Sequence, residues 1–272
     1  MCERRSVMLL AVNVGNKNIS FALFEKDVDE PISGFKISTD TKKTADEYVI
    51  TVKQLLDRSG IDTAQIDGAA VSSVVPQING VIKSVIAELI GKMPLWVGPG
   101  VKTGFAIKID DPAELGADLV ANASAVARKM SESGSASPAL ILDMGSVTTL
   151  FAMNKKGELA GGAILPGVSM SLDAMHRETA QLPNIELSGA TRAIGKNTKE
   201  SLSSGIILGY AAMIDGLIDR FEREMKCRPG EAVIFATGED CKPVLGECSR
   251  KFHFDSSLTL KGLACIYKNT VG

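Results

Sequence analysis

The sequence has few aromatic residues, few histidines and almost no excess of either charge. Aromatic side chains make up 5% of the 272 residues, histidine occurs twice, and the formal net charge is −2. Proteins that hold nucleic acid rely on stacking platforms or on a strongly basic surface. The composition therefore argues against nucleic acid as a partner. No Ser/His/Asp arrangement for nucleophilic catalysis is legible, and His176, which lies near a candidate motif, is predicted to be structural.

Long apolar runs are also missing. The N-terminal segment holds six consecutive apolar residues, 7–12, before Asn13 interrupts them. A signal peptide needs a longer apolar stretch, and a membrane-spanning helix needs about 20 such residues. The five cysteines, which include Cys2, are scattered and odd in number, as is typical of reduced thiols. These features predict a cytoplasmic protein with no membrane partner.

Metal-ligating residue types are sparse. Cys241, Cys248 and His253 lie close together in the chain, but their spacing matches no common zinc finger. A fourth ligand would have to come from a distant segment. The sequence therefore favours ordinary loop and core roles for these three residues over a zinc site.

Two segments carry the strongest functional pattern in the chain. Each has an apolar strand, a bend of small and polar residues, and a second apolar strand, at 7–24 and 139–153. The bends combine free backbone N–H groups with hydroxyl or amide side chains beside a carboxylate or its amide, which suits phosphates and a cation. A single bend could be an ordinary hairpin. Two of them predict a duplicated domain that grips one nucleotide from both sides.

Strands and helices alternate through the first half. After the opening strand pair, we predict strands at 34–38, 69–75 and 95–97, and helices at 45–58, 79–90 and 112–130. The segment 131–138 is small, polar and flexible, which is typical of a linker, and we place a domain boundary near Gly134.

The second half repeats this organisation. After a turn at Gly157, we predict strands at 158–163 and 233–236, and helices at 168–180, 199–225 and 258–267. The predicted fold is α/β, with mixed sheets in two related domains, 1–134 and 135–272, and a ligand-binding cleft between them. A Rossmann or P-loop fold is disfavoured because no G-x-G-x-x-G follows a strand and no Walker lysine is present.

Two carboxylates are candidates for chemistry. Asp143 ends an apolar strand and precedes Gly145 and Ser146, which favours a cation ligand over a residue that merely caps its own turn. Asp118 lies among apolar residues, where burial would raise its pKa and let it accept a proton from a substrate hydroxyl. The alternative is a solvent-facing helix acid. Thr198 is predicted to cap the long helix that follows, although its loop could also face a substrate.

In their order along the chain, these motifs resemble those of the type III pantothenate kinases, members of the actin, hexokinase and Hsp70 ATPase superfamily. The resemblance runs nearly the whole chain. Its motifs are 12–16 (VNVGN), 72–76 (SSVVP), 100–104 (GVKTG), 116–118 (GAD), 143–145 (DMG), 161–167 (GGAILPG), 179–183 (TAQLP), 195–198 (GKNT), 237–238 (TG) and 260–263 (LKGL).

The resemblance implies a duplicated ribonuclease-H-like fold, a homodimer, and ATP-dependent phosphorylation of pantothenate, the first step of coenzyme A biosynthesis. The implied cofactors are ATP, Mg²⁺ and a monovalent cation, K⁺ or NH₄⁺. Asp118 matches the family's general base and Asp143 its monovalent-cation ligand. The matching ATP-binding positions are Asn13, Val14, Gly15, Asn16, Lys17, Asn18, Ile19, Ser20, Ser146 and Thr148. The matching pantothenate-binding positions are Ile109, Gly116, Ala117, Asp118, Leu119 and Thr198.

Several residues depart from the family pattern. Asn13 stands where an aspartate is usual, and losing a unit charge beside a divalent ion changes the Coulomb energy by several kcal/mol at an effective dielectric of ~20. Leu119 replaces an arginine suited to a carboxylate, and Ile109 replaces a tyrosine. These changes support an alternative, a non-catalytic or substrate-shifted relative that binds nucleotide or a metabolite. The presence of Asp118 and Asp143 favours a working kinase.

Overall fold

The computed structural model of the protein describes residues 8–25, 28–186 and 192–272. Cys2 and the predicted strand start at residue 7 lie outside these residues. Contacts divide the chain into two compact units. The first unit takes in residues up to Phe105, Asp110–Lys129 and Ser257–Gly272, and the second takes in Ala106–Ile109 and Met130–Ser256. The predicted boundary near residue 134 would divide the chain into two continuous parts. Each unit instead also contains a segment from the other side of that boundary, Ser257–Gly272 in the first unit and Ala106–Ile109 in the second. The cleft expected from the sequence stays a prediction.

The first unit is built on a five-stranded sheet. Its strands are β1 (Met8–Val14), β2 (Asn18–Glu25), β3 (Ser33–Ser38), β4 (Ile66–Ser73) and β5 (Leu95–Trp96). Their order across the sheet is β3-β2-β1-β4-β5. Strands β1 to β3 form the predicted antiparallel meander, and β4 and β5 continue the sheet in parallel.

Two helices cover one face of this sheet at the bounds that the sequence predicts, α1 (Ala45–Arg58) and α2 (Asn79–Ile90). Thr44 and Glu47 form a reciprocal capping box that starts α1. Gly91, in the left-handed conformation, ends α2. Leu10, Val12 and Val14 of β1 pack against residues of these helices in the larger core of the unit. The local capping signals explain why both predictions are confirmed.

Two further helices cover the opposite face, α3 (Ala117–Glu132) and α7 (Leu258–Val271). The backbones of the two helices are closely packed, because a Cβ added at Gly262 of α7 would lie 1.8 Å from the carbonyl oxygen of Ala121 in α3. Thr259 Oγ1 also donates a hydrogen bond of 2.7 Å to Oδ1 of the fully buried Asn122. Gly262 is therefore the position that lets α7, from the far end of the chain, complete the first unit.

The single helix predicted over 112–130 is wrong at its beginning. Pro112–Glu114 forms a 3₁₀ turn, capped by the Asp111 carboxylate, and Leu115 then adopts an extended conformation. The α-helix starts at Ala117 and continues to Glu132, into the predicted linker. A proline followed by an acid can start a short 3₁₀ turn as well as an α-helix. The signal at 112–114 therefore marks the 3₁₀ turn and not the start of α3.

The second unit has a six-stranded sheet. Its strands are β6 (Ala106–Ile107), β7 (Ala139–Met144), β8 (Val147–Met153), β9 (Glu158–Pro166), β10 (Val233–Thr237) and β11 (His253–Phe254). Their order across the sheet is β11-β10-β7-β8-β9-β6. Strands β7 to β11 repeat the order and directions of β1 to β5, with an antiparallel β7-β8-β9 meander and parallel β10 and β11. The repeated topology confirms the predicted duplicated α/β architecture.

Among the described residues of this unit, three segments form α-helices, α4 (Val168–Glu178), α5 (Thr198–Glu224) and the unpredicted α6 (Cys241–Leu245). The predicted cap at Thr198 is wrong by one position. Asn197 caps α5, because its Oδ1 accepts a hydrogen bond of 2.9 Å from Glu200 N, and Thr198 is the first helical residue. Asparagine is the better acceptor for this role because its side-chain oxygen reaches the first turn easily.

Among the described residues, α5 is the one helix long and apolar enough, by composition, to cross a membrane. The core helix of a folded domain passes the same test. Ile207, Ile214 and Ile218 of α5 pack in the core of the second unit. Near its end the buried Glu222 accepts hydrogen bonds from Gly230 N and Ala232 N, which is a structural role. The composition of α5 is therefore weak evidence for a membrane.

Candidate functional site

A row of polar side chains crosses the first sheet where β1 ends. Asn13 of β1 pairs in register with Ser20 of β2 and with Ser72 of β4. Residues paired across neighbouring strands project to the same face of a sheet, so the three side chains form one row. Ser72 Oγ donates a hydrogen bond of 2.8 Å to Asn13 Oδ1. The buried Ser72 thus fixes the carboxamide of Asn13 at the carboxyl end of its strand.

The bend after Asn13 is held closed by backbone contacts. Gly15 N donates to Asn18 O at 3.0 Å, and Thr39, from beyond β3, contacts the bend twice. Its Oγ1 donates to Gly15 O at 2.6 Å and its N donates to Lys17 O at 2.9 Å. The Thr39 contacts give the bend one backbone conformation, with its tip at Asn16 and Lys17 exposed to solvent.

The predicted ATP-binding positions 13–20 therefore differ in what they can offer. Val14 and Ile19 are fully buried in the core, so they can contribute only backbone atoms. Asn16 and Lys17 present their side chains to solvent, while Asn18 is partly buried. A bound anion would meet the backbone of the bend, the amide of Asn16 and the ammonium group of Lys17.

Asp118 lies in the first turn of α3, partly buried at the same end of the sheet as Asn13. A Cβ added at Gly116 would lie 4.0 Å from a methyl group of Val74, and Val74 N donates to Val14 O at 3.1 Å. These contacts connect the start of α3 to the carboxyl ends of β1 and β4. In α/β sheets this edge is where ligands bind.

The carboxylate of Asp118 is in an environment that disfavours its charge. Burial raises the pKa of Asp118, and hydrogen bonds from backbone N–H groups oppose the rise only in part. One of these is donated by Leu119 N to Asp118 Oδ1 at 2.8 Å. A Cβ at Gly116 would lie 2.6 Å from the same oxygen, so only glycine leaves room for this carboxylate orientation. A buried carboxylate with a raised pKa and no neighbouring cation among these causes is suited to accept a proton.

The other predicted substrate positions are divided between the units. Gly116, Ala117 and Leu119 lie beside Asp118 in the first unit, and Leu119 is only 7% exposed. Ile109 follows β6 and is half-buried, and Thr198 is exposed at the start of α5; both belong to the second unit. The structure thus brings four of the six positions together, and their buried leucine offers no donor to an anionic substrate.

The second sheet carries a polar row of the same kind. Asp143 of β7 pairs in register with Thr149 of β8 and with Thr237 of β10. This row corresponds to the row in the first unit: Thr149 matches Ser20, Asp143 matches Asn13 and Thr237 matches Ser72. Ser72, Thr149 and Thr237 are not predicted as site residues from the sequence, because only the strand register reveals these rows.

Thr148, predicted as an ATP-binding residue, projects to the opposite face of β8. It is 0% exposed, and its hydroxyl has no hydrogen-bond partner among the described residues. Alternation along a strand places Thr149, rather than Thr148, on the face of Asp143. The role assigned to Thr148 stays a prediction, and Thr149 is the threonine whose hydroxyl shares the polar row.

The bend that carries Ser146 is packed between two glycines. A Cβ at Gly167 would lie 2.1 Å from Ser146 O, and a Cβ at Gly238 would lie 2.4 Å from Met144 O. Gly238 also has a φ of 107°, which L side chains rarely adopt. Gly145 N closes the bend by donating to Val147 O at 3.1 Å. Both glycines are therefore required for the backbone around Ser146 to pack as it does.

In residues 8–25, 28–186 and 192–272, no three His, Cys, Asp or Glu residues gather into a metal-binding group. Cys241 and Cys248 are poor thiolate ligands, because burial raises the pKa of each thiol to about 12, with the charge of Asp143 adding to the effect at Cys241. Asp143 and Asn13 offer hard oxygen atoms. Mg²⁺ is usually held by one or two such groups together with phosphate oxygens and water, so Asn13 in the first unit and Asp143 in the second are each chemically suited to contribute a ligand.

Sequence comparison connects this arrangement to a family of kinases. A family model described as type III pantothenate kinase matches residues 9–220. A type III pantothenate kinase from an Exiguobacterium species is 38% identical over 261 residues, which cover 96% of this chain and 98% of the relative.

Solved structures share the fold at lower sequence identity. A Baf family transcriptional activator from Campylobacter jejuni superposes with a TM-score of 0.59 at 17% identity, over 95% of this chain and 97% of that chain. An inorganic polyphosphate/ATP-glucomannokinase from an Arthrobacter species superposes with a TM-score of 0.50 at 12% identity, over 95% of this chain and 97% of that chain. At these identities the likeness concerns the fold alone, and that fold is the α/β architecture described above.

Proposed function

Because the chain belongs to the type III pantothenate kinase family, we propose that it transfers the γ-phosphoryl group of ATP to the primary hydroxyl of pantothenate, with Asp118 as the general base. The family match identifies the chain as a phosphotransferase of coenzyme A biosynthesis. The observation that supports the role of Asp118 is its partly buried carboxylate with a raised pKa, at the carboxyl-terminal end of β1 and β4. The non-catalytic alternative is not favoured, since relatives with the kinase description match along the full chain.

The mechanism assigns separate tasks to the two units. In the first, Asp118 takes the proton of the substrate hydroxyl as the oxygen attacks the γ-phosphorus, and the bend at 13–18 offers backbone N–H groups and Lys17 to phosphate oxygens. In the second, the bend at Ser146 offers its backbone and hydroxyl in the same way. Mg²⁺, when bound, would neutralise charge on the phosphates, and Asn13 in the first unit and Asp143 in the second would each offer an oxygen atom to a cation. We also assign a monovalent cation, K⁺ or NH₄⁺, to Asp143.

The direct test is a coupled assay of ADP release with purified protein, ATP, pantothenate, Mg²⁺ and either K⁺ or NH₄⁺. We expect turnover that depends on pantothenate and on ATP. Turnover no higher than that of the same mixture without pantothenate would remove pantothenate as the substrate. Binding of ATP measured by calorimetry in the same buffer would then separate a nucleotide-binding relative from a protein of another function.

Gly116→Ala should reduce catalysis without unfolding the protein. The new methyl group would overlap with Asp118 Oδ1, which lies 2.6 Å from the Cβ position, so the carboxylate must turn away. Misplacing a catalytic group by about 1 Å costs up to about 10²-fold in rate, and we expect a fall in kcat of that order. Gly80→Ala is the matched control, because a Cβ there meets nothing within 4 Å and should leave kcat unchanged. Equal kcat values in both variants would contradict the role of Gly116.

Asn13→Asp should strengthen the binding of Mg²⁺·ATP. The amide oxygen of Asn13 already accepts a hydrogen bond from Ser72, and a carboxylate can keep that bond while adding a negative charge for the cation. We expect the Kd for ATP to fall by about tenfold in Mg²⁺ and to change far less in EDTA, since one charge contact is worth about 1 kcal/mol or more. Isothermal titration calorimetry measures both values. An unchanged Kd in Mg²⁺ would show that Asn13 is remote from the ion.

We further propose a cytoplasmic homodimer. The second unit exposes several large apolar side chains whose burial against a second copy would be favourable, namely Val147, Ile164, Met170, Met175 and Ile194. Ile164 is 72% exposed and Ile194 is 84% exposed. Sedimentation equilibrium tests the assembly, and a monomer at micromolar concentration would overturn it. The scattered free cysteines support a reducing compartment.

A further inference from the structure

Three chain segments of the second unit meet at the bend that carries Ser146. The first is the bend itself, from Met144 to Ser146, and the second begins at Gly167, where β9 passes into α4. The third follows β10 and contains Gly238. Glycine at 167 and 238 lets the second and third segments lie directly against the backbone of the first.

Asp240 connects all three segments through hydrogen bonds. Its Oδ2 accepts a bond of 2.7 Å from Ser169 Oγ and one of 3.2 Å from Ser169 N. Its own backbone N donates a bond of 3.1 Å to Met144 O. One residue thereby holds the start of α4 on one side and the end of β7 on the other.

The first turn of α4 needs a hydrogen-bond acceptor from outside the helix. The N-cap position of the helix is Gly167, which has no side chain to accept the first N–H groups. The N–H groups in the first turn of a helix have no intrahelical partner, and a carboxylate also interacts favourably with the positive end of the helix dipole. Asp240 therefore supplies, from a different loop, the cap that the sequence of α4 lacks.

The same helix start is anchored to the body of the unit by Tyr210 of α5. The Tyr210 hydroxyl lies 3.0 Å from Pro166 O, 3.1 Å from Gly167 O and 2.6 Å from Ser171 Oγ. The segment that Asp240 grips is thus fixed to α5, the longest helix of the unit. Asp240 joins this segment to the bend, because its carboxylate bonds to Ser169 and its backbone N bonds to Met144 O.

We propose that Asp240 is a positioning residue for ATP: it holds the bend from Met144 to Ser146 in the conformation that receives the phosphates. The inference rests on the proposed function for the role of Ser146, while the clamp itself rests on the contacts above. Asp240 acts through Ser169 and Met144. Losing the clamp should therefore weaken ATP binding more than pantothenate binding, because Asp118 and three more of the six predicted substrate positions lie in the other unit.

The test compares Asp240→Ala, Asp240→Asn and Ser169→Ala in the complete chain. Asparagine keeps an oxygen for Ser169, whereas alanine removes it. We expect Asp240→Ala to raise the KM for ATP about tenfold, the equivalent of one hydrogen bond to a charged group, with the KM for pantothenate within about twofold. Asp240→Asn should recover most of the loss, and Ser169→Ala should fall between the two. Glu247→Ala, which removes an exposed carboxylate after α6, is the control.

Hydrogen exchange without nucleotide measures the clamp independently of catalysis. We expect faster exchange at 144–149 and 167–171 in Asp240→Ala than in wild type, with 8–25 unchanged. Unchanged exchange at 144–149, or a parallel rise in both KM values with a fall in melting temperature, would overturn the proposal. If the wild-type protein binds no ATP, the proposed function fails; faster exchange in the variant would still support the clamp, and unchanged exchange would still refute it.

Discussion

Asp118→Asn is expected to lower kcat for pantothenate phosphorylation by about 10²- to 10⁴-fold, the range that a positioned general base contributes. Asparagine has the same shape and can keep the hydrogen bond from Leu119 N, but it cannot take a proton from the substrate hydroxyl. ATP binding should be unaffected, because the ATP-binding residues proposed above remain. Steady-state kinetics in the ADP-release assay, with calorimetry for ATP, measures both effects.

The same substitution should stabilise the protein at neutral pH. Burial raises the pKa of Asp118, so between its unfolded and folded pKa values the folded chain holds more protons than the unfolded chain. The free energy of unfolding of the wild type therefore falls as pH rises through that window and stays lower above it. Asparagine carries no charge to desolvate. We expect a higher melting temperature for Asp118→Asn at pH 7, with the difference shrinking as the pH falls through the window between the folded and unfolded pKa values.

The pH dependence of the wild-type kcat should also reveal the titration of Asp118. A base must be unprotonated to act, so kcat should fall as pH falls through the raised pKa of Asp118, and this acidic limb should be absent from the residual rate of the variant. Asp57→Asn, which alters an exposed carboxylate on α1, serves as the control for both rate and stability. A kcat for Asp118→Asn within tenfold of wild type, or a loss of stability at pH 7, would refute the role given to this carboxylate.

Gly262→Ala is expected to produce the largest loss of stability of any single methyl addition discussed here. The added Cβ would lie 1.8 Å from Ala121 O, and the obstacle is backbone, which cannot rotate aside as a side chain can. Helices α3 and α7 must move apart, at the expense of the Thr259–Asn122 hydrogen bond and of the core between them. Overpacking costs about 1–3 kcal/mol and occasionally more, and we expect about 3 kcal/mol or above here.

Thermal unfolding measures this effect as a fall in melting temperature of roughly 6–12 °C. Activity should fall as well, since Asp118 lies one turn before Ala121 on the displaced helix. The matched control is Gly205→Ala in α5, another helical glycine, where a Cβ meets nothing within 4 Å. Alanine there should stabilise the helix by about 0.5–1 kcal/mol. Similar melting temperatures for the two variants would show that α3 and α7 are less closely packed than described.

Elements with complete local signals were predictable from the sequence. Helix α1 has its capping box and α2 its terminal glycine, so both were predicted with the observed bounds. Strands β1 and β7 were predictable because an apolar run followed by a bend is specific enough. The two-residue strands β6 and β11 carry no such signal, since their pairing depends on neighbours distant in the chain.

The candidate site was predictable only in part, for a geometric reason. Asp118, Asn13 and Asp143 were recognisable because each occurs in a motif with a distinctive neighbourhood. Their partners Ser72 and Thr237 are ordinary residues whose importance comes from strand register, which sequence spacing does not give. Asp240 was missed for the same reason, since its partner Ser169 is 71 positions away.

The position of α7 in the first unit has a consequence for how the protein acquires its structure during synthesis. Strand β1 is translated well before the helix that covers its second face, because that helix lies in Ser257–Gly272. Until α7 is translated, Leu9 and Ala11 are not covered by it and form an exposed apolar surface that chaperones or other nascent chains can bind. The second unit meets no such delay, because every strand it needs has been translated by residue 256. Premature termination shortly before α7 should therefore yield aggregates nucleated by the earlier unit, while the later one is already assembled.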